Sequence, residues 1–172
     1  MFFLKTHYEE VVQKDNILTD VVSTTARLTK PTKIMLSIGG DKVDENSVMS
    51  SLFALDFIGN QKPYLTRNKT YGSNEVVGGK LTLRGFSMYA FMYKLLFDVL
   101  PRMKQFEGFK PPAHSGTFSF VIKNVLAFEG LGPLFFYFED VESLQCQFHF
   151  TTKDKDEVLM LGRGLFICFS TS

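Results

Sequence analysis

The sequence is short of the residues that mark several protein classes. Its 172 residues include no Trp and two Cys, and Cys146 and Cys168 fit neither a metal-ligand spacing nor a disulfide framework. This cysteine usage favours a reducing compartment. Because every apolar run is shorter than a membrane-spanning helix, a soluble protein or part of a soluble assembly is expected, with no membrane partner.

The sequence also has no large excess of positive or negative charge, since the formal net charge is +1. The charges are nevertheless unevenly distributed: residues 61–123 carry ten Lys and Arg against three acids, while the remainder carries nine against fifteen. A basic middle third fits an anion-binding face or ordinary solvated charges, and charge alone leaves both interpretations open.

What the sequence does contain is enough apolar material for a core. A hydrophobic content of 45% with 19 Phe predicts one ordered domain over 1–172. Within it we expect an N-terminal helix over 1–18, a sheet and main helices over 31–151, and a C-terminal helix and tail over 154–172.

Short stretches that alternate apolar and polar residues predict half-exposed strands. They are 33–38, 80–84, 117–122 and 143–151. In the second stretch, Leu81 and Leu83 are expected to face a core, which sends Lys80, Thr82 and Arg84 together to the opposite face. A loop or loose hairpin is expected over 68–78.

Helical periodicity complements these strands. Helices are predicted over 3–18, 44–58, 86–100 and 154–161. The second of them, with Asp44 as N-cap, is expected to bury Val48, Met49, Leu52, Phe53 and Leu55. Mixed helices and alternating strands predict an α+β domain, in which an antiparallel sheet has helices packed on one face and a polar second face.

No pattern in the sequence is typical of catalysis or metal binding. His7, His114 and His149 fall on a helix, a loop and a strand without a nucleophile-and-base arrangement, and the acidic cluster over 139–142 is expected to be solvated. Cys168 lies in an apolar tail and is expected to be buried. We therefore predict a protein that is not an enzyme, with no catalytic residues, metal site or cofactor.

Five motifs follow one another in a recognisable order. They are KIMLSIG at 33–39, GNQKP at 59–63, KLTLRG at 80–85, LPR at 100–102 and FEG at 106–108. Together they resemble the bacterial-type large-subunit ribosomal protein L-five family. Since the N-terminal helix and Thr151–Thr152 also fit the family, the resemblance covers nearly the whole chain.

The resemblance implies a structural constituent of the large ribosomal subunit that supports translation. In this family the open sheet face binds 5S rRNA in the central protuberance, and an equivalent rRNA segment is the alternative ligand. The implied contact positions are Ser37, Gln61 and Thr82, surrounded by Lys62, Thr66, Arg67, Lys69, Lys80 and Arg84. Hydroxyls and amides can bond sugar and phosphate oxygens while Lys and Arg neutralise phosphate charge, although any single residue here also fits a solvated strand.

Three departures from the family pattern affect these expectations. Ser37 stands where the family usually has Asn, and the family's Arg-Gly pair after Gly116 is missing. The 68–79 loop is shorter and less basic than the family's loop that reaches the peptidyl-site tRNA, which leaves that contact open. Because phosphate binding scales with the charges neutralised, the low net charge predicts weak rRNA binding or support from neighbouring proteins.

The remaining expectations concern partners and location. Neighbouring central-protuberance proteins are expected partners, a small-subunit head protein could contact 107–123, and a protein–protein interaction module with little RNA contact is the alternative function. Many Phe and no Trp resemble a mitochondrial member, so we expect a mitochondrial large ribosomal subunit, with the bacterial cytoplasm as the alternative. No Arg-rich presequence is visible, so an organelle-encoded gene or a removed presequence is expected.

Overall fold

The computed structural model describes residues 3–19, 28–39, 45–68, 75–104, 106–112, 116–139, 141, 143–152 and 154–170. Its strands are β1 (Pro31–Gly39), β2 (Tyr64–Asn68), β3 (Glu75–Leu83), β4 (Thr117–Ile122) and β5 (Leu144–Phe150). Its α-helices are α1 (Phe3–His7), α2 (Gln13–Thr19), α3 (Glu45–Gly59), α4 (Gly85–Lys94), α5 (Leu100–Arg102), α6 (Phe135–Phe138) and α7 (Lys155–Gly164). Helical turns of π type at Tyr8–Val12 and Leu95–Val99 join the neighbouring α-helices.

The strands form an antiparallel sheet in the order β2-β3-β1-β5-β4, which confirms the predicted α+β class. The chain divides into two compact units, the first made of residues 1–34, 84–120 and 147–172 and the second of 35–83 and 121–146. The single domain over 1–172 stays a prediction. Among the described residues, no helix combines the length and apolar character needed to cross a bilayer.

The core of the second unit is built where α3 packs on β3. Leu81 and Leu83 are fully buried, as the alternation predicted. A Cβ added at Gly79 would lie 2.8 Å from Leu55 Cδ1 and 2.9 Å from Leu52 Cδ2, so the helix lies directly on the strand backbone. Contacts this close exclude water from the interface and stabilise it through dispersion as well as burial.

The orientation of α3 differs from the prediction. Leu55 is buried, but Met49 and Phe53 are 52% and 59% exposed. The buried residues of α3 are instead Ser51, Ala54, Leu55, Ile58 and Gly59. An added Cβ at Gly59 would overlap the Leu81 side chain, so this glycine permits the close approach of helix to strand, while Met49 and Phe53 lie on the solvent side. Asp44, the predicted N-cap, lies outside the described residues.

The first unit has an aromatic and aliphatic core of its own. In the N-terminal helical segment Leu4, Tyr8 and Val12 are buried, and the Tyr8 hydroxyl donates a hydrogen bond to the backbone oxygen of Thr29 at 2.9 Å. From α4, the Met88, Phe91 and Met92 side chains are buried too. The long apolar helix predicted from Phe86 is therefore a core element.

The two cysteines have different environments. Cys146 is buried on β5, and this burial raises the pKa of its thiol. Cys168 is exposed, so its predicted burial is wrong. The reason is that Phe169 forms a β-bridge with Phe109, and consecutive side chains beside such a bridge face opposite sides. Ile167 is therefore buried, and the next residue, Cys168, is exposed.

These environments predict the labelling of the native chain by iodoacetamide. One thiol per chain should react within minutes, because the thiolate is the nucleophile and Cys146 is both buried and disfavoured as a thiolate. Both thiols should react in denaturant, as measured by intact mass. The Cys168→Ser variant is the control, and rapid labelling of its native form would contradict the burial of Cys146.

Gly78 is required by the close approach of β3 to β1. A Cβ at this position would overlap the backbone oxygen of Ile38 and lie 2.8 Å from the Cα of Gly39. Gly78→Ala should therefore force the strands apart and lower the free energy of unfolding by about 2 kcal/mol. The corresponding fall in Tm is about 4–8 °C, measurable by thermal denaturation.

Gly132→Ala is the matched control for this variant. An added Cβ at Gly132 meets no described atom within 4 Å, so the substitution should leave Tm within about 2 °C of the original protein. Equal stability of the two variants would show that β1 and β3 are not in close backbone contact at Gly78.

Candidate nucleic-acid interface

A polar face of the sheet in the second unit lies opposite the face covered by α3. On β3, the exposed Lys80 and the half-buried Thr82 alternate with Leu81 and Leu83 of the core. On β1, Ser37 is half-buried between the core residues Leu36 and Ile38. We call the surface formed by Ser37, Tyr64, Thr66, Lys80 and Thr82 the open face.

The strand register brings the members of the open face together. In the β2–β3 pair, Tyr64 lies opposite Lys80 and Thr66 lies opposite Gly78. Directly opposed residues of an antiparallel pair share a face, so Tyr64 and Thr66 lie on the face of Lys80. The close contact of Gly78 with Ile38 and Gly39 also places Ser37 beside the start of the Lys80 stretch.

The loop or loose hairpin predicted over 68–78 is too long, because Asn68 ends β2 and residues 75–78 already belong to β3, while 69–74 lie outside the described residues. The β2–β3 pair also contains an irregularity. Between Thr66 and Arg67 the register shifts, so that Thr66 pairs with Gly78 whereas Arg67 pairs with Val76. Val77 is therefore the additional residue of a β-bulge in β3.

Arg67 is separated from the open face by strand alternation. It lies two residues after Leu65, on the same side of β2. Leu65 lines a cavity of about 660 Å³ together with side chains of α3. Val76, the residue directly opposite Arg67 on β3, lines the same cavity. Arg67 is therefore exposed on the helix side of β2, whereas Thr66 lies on the open face.

The other predicted contact residues lie outside the strands. Gln61 and Lys62 are both exposed in the turn between α3 and β2, just after Asn60 ends the helix with a φ of 48°. Arg84 is exposed and extended, with φ −139° and ψ 160°, and is the first residue of its segment of the first unit. Lys69 lies outside the described residues.

Tyr64 is a member of the open face that the sequence interpretation missed. It is 72% exposed, directly opposite Lys80. A signal for it exists in the sequence, because alternation from Pro63 into the strand links Tyr64 with Thr66. An exposed aromatic ring beside a cation can stack on an unpaired base, while the neighbouring hydroxyls can bond sugar and phosphate oxygens.

The histidines and acidic residues do not form a metal-binding cluster within the described part of the chain. None of the His, Cys, Asp and Glu side chains there form a group of three or more able to hold a metal ion. The Nε2 of His7 lies 3.0 Å from the backbone oxygen of Gly164, and His149 is half-buried on β5. His114 lies outside the described residues.

An open sheet face that carries a cation, hydroxyls and an aromatic ring is typical of proteins that bind nucleic acid. Residues 76–169 match the family model for the C-terminus of the ribosomal protein L-five family. Over most of its length, therefore, the chain can be compared directly with known ribosomal proteins.

The relatives agree with this match. Identity is 32% over 127 residues to large ribosomal subunit protein uL5 of Mycoplasma pneumoniae, covering 69% of this chain and 71% of that protein. It is 30% over 174 residues to large ribosomal subunit protein uL5m of Reclinomonas americana, covering 95% and 96%. The chain belongs to the ribosomal protein L-five family, a structural and non-enzymatic class, and the predicted resemblance is confirmed.

Proposed function

We propose that the chain is a structural constituent of the large ribosomal subunit. On this proposal it binds 5S rRNA, or an equivalent rRNA segment of the central protuberance, through the open face. Family membership supports the ribosomal role. The observation that carries the RNA proposal is the β2–β3 register, which places Tyr64 of β2 opposite Lys80 of β3. Thr82 of β3 lies on the same face as Lys80.

The open face can make three kinds of contact with folded RNA. Hydroxyls of Ser37, Thr66 and Thr82 exchange hydrogen bonds with 2′-hydroxyls and phosphate oxygens, which positions the RNA. Lys80 neutralises a phosphate and releases its counterions. Tyr64 offers a ring on which an unpaired base stacks. Half-burial of the hydroxyl-bearing residues limits their motion, so less entropy is lost on binding.

The other predicted contact residues are proposed as additional contacts to the same RNA. Gln61 and Lys62 add an amide and a charge at the turn before β2, and Lys69 and Arg84 complete the predicted set. Arg67 contacts RNA only where the RNA passes over the edge of the sheet, because β2 is an outer strand and Arg67 lies on its helix side. On this proposal Arg67 is a peripheral contact.

Location and further partners follow from the relatives. The uL5m relative matches 95% of the chain, which supports a place in a mitochondrial large subunit, and uL5 of Mycoplasma pneumoniae supports the bacterial cytoplasm as the alternative. Neighbouring central-protuberance proteins are proposed as partners, with a small-subunit head protein at 107–123 as a further one. Contact with peptidyl-site tRNA stays open.

The double variant Lys80→Ala with Thr82→Ala tests the open face. It removes a cation and a hydroxyl that face away from the core, so the fold should persist while the affinity for a 5S rRNA transcript falls about tenfold or more, or at least about 1.4 kcal/mol. The slope of log affinity against log salt should decrease by about 1, since one phosphate contact is lost. Filter binding over a range of salt concentrations measures both quantities.

The matched control is Lys123→Ala with Ser143→Ala, which changes an exposed Lys and a half-buried hydroxyl elsewhere in the same unit. It should bind like the original protein. Equal binding by both double variants would remove the open face from consideration. Sequencing the RNA retained by the chain in salt-washed large subunits then distinguishes 5S rRNA from a substitute segment, and retention of no rRNA favours the protein–protein module.

Stacking by Tyr64 is tested separately. Tyr64→Ala should weaken RNA binding by about tenfold, because a base–aromatic stack contributes about 1–3 kcal/mol, whereas Tyr64→Phe should retain most of the affinity. Tyr137→Ala is the control, since Tyr137 is 71% exposed against 72% for Tyr64 and lies in the same unit. A loss of RNA binding in Tyr137→Ala equal to that in Tyr64→Ala would indicate a general effect of surface aromatics.

A further inference from the structure

The second unit has an exposed apolar groove on its helix side. One wall is formed by Met49, Phe53 and Phe57, which are spaced four residues apart on α3. The other is formed by Leu134, Phe136 and Tyr137, and the space between the walls is about 600 Å³. We call these six residues the apolar groove.

The exposure of the groove is unusual for side chains of this kind. Phe136 is 89% exposed, and the other five residues are between 41% and 71% exposed. Single exposed hydrophobic residues are normal, but a contiguous set marks an interaction surface. Both walls belong to one compact unit and face each other, so the six residues form one continuous surface.

The walls are held in place by buried contacts beneath them. A Cβ at Gly130 would overlap the ring of Phe57, so the α3 wall is fixed against the backbone at Gly130. On the other wall, Phe138 is buried and anchors the short α6 helix, while Phe136 and Tyr137 project from it. The groove is therefore formed before any partner binds.

The net charge of the sequence segments that contain the groove differs from that of the segment that contains most of the open face. Segments 45–59 and 121–146, which contain both walls, carry six acids against one Lys, whereas 60–83 carries four cations against one acid. Asp56 lines the groove itself. Carboxylates repel RNA phosphates and attract basic peptides. The charge of these segments and the apolar side chains of the groove therefore both favour a peptide that has basic and apolar residues.

We propose that the apolar groove binds an amphipathic helix of a neighbouring protein, with its apolar face in the groove and Lys or Arg beside Asp56. Helices recognised in this way place side chains at i, i+3 or i+4, and i+7 in the groove. The four-residue spacing of the α3 wall suits such a ridge. This inference does not depend on RNA binding, because it uses other side chains and the opposite charge.

The test uses the 172-residue chain and two synthetic helical peptides, each of which contains Leu on one face and one Trp. One peptide carries Lys on the flanks of that face and the other carries Glu at the same positions. Since the chain has no Trp, Trp fluorescence reports the peptide alone. The Lys peptide should bind saturably and at least tenfold more tightly than the Glu peptide, and the difference should narrow as salt rises.

Variants locate the binding. Phe53→Gln with Phe136→Gln should weaken binding of the Lys peptide at least tenfold, and Asp56→Asn should weaken it about two- to fivefold with no loss for the Glu peptide. The matched control is Tyr93→Gln with Phe97→Gln, an exposed aromatic pair one helical turn apart in the first unit. Circular dichroism and Tm establish that each variant is folded.

Several outcomes would overturn the inference. The inference would be wrong if both peptides bound equally well, or if the groove and control variants bound the Lys peptide equally well. It would also be wrong if the protein dimerised as its concentration rose and the groove variant did not, because the occupant of the groove would then be a second copy of the chain. The groove variant should keep its affinity for 5S rRNA, and the Lys80→Ala, Thr82→Ala variant should keep its affinity for the Lys peptide. Loss of RNA binding in the groove variant would identify RNA as the ligand of this surface instead.

Discussion

The second unit depends on the close approach of α3 to the backbone of β3. Gly79 on the strand and Gly59 on the helix let the two elements approach closely, so that Leu52 and Leu55 cover the strand directly. A helix seated this closely fixes which face of the sheet is covered. Strand alternation then determines everything presented on the opposite face, so both surfaces of this unit follow from one packing contact.

The same contact explains why the unit has two chemically different surfaces. Because Leu52 and Leu55 face the strand, Met49, Phe53 and Phe57 face outward, where they line a groove with residues of 134–138. On the far side of the sheet, no large apolar residue alternates with Leu81 and Leu83 in β3, so Lys80 and Thr82 are presented there. A polyanion and a basic amphipathic helix could thus bind the same unit without competing.

Period-two alternation was the strongest guide from the sequence. It predicted the inward direction of Leu81 and Leu83 and the outward direction of Lys80 and Thr82, because strand geometry depends on little beyond the strand itself. The motif order likewise identified the family. The antiparallel sheet with its covering helices followed from these elements, and the structure confirms that class.

Features set by tertiary contacts were not predictable in the same way. The sequence over 44–58 is apolar on several sides, so periodicity alone does not select the side of the helix that packs on β3. For this reason the predicted burial of Phe53 is wrong. The exposure of Cys168 depends on a bridge between residues 109 and 169, which are distant in sequence. The resemblance places Thr66 and Arg67 on the same RNA-binding surface, but adjacent residues of a strand face opposite sides of the sheet. Tyr64 lies two residues before Thr66 and therefore shares its face, yet the predicted set does not include it.

The irregular register between Thr66 and Arg67 affects how the edge of the sheet can pair with another chain. Strand β2 is terminal in the sheet, and a terminal strand offers backbone donors and acceptors along which another chain could add a strand. The bulge lies in the neighbouring strand β3, where it increases the local twist that the paired strand β2 shares, and a twisted edge fits poorly into the flat, regular stacking of a fibril. The sheet edge at β2 is therefore less suited to pairing with a second copy than a flat and regular strand would be.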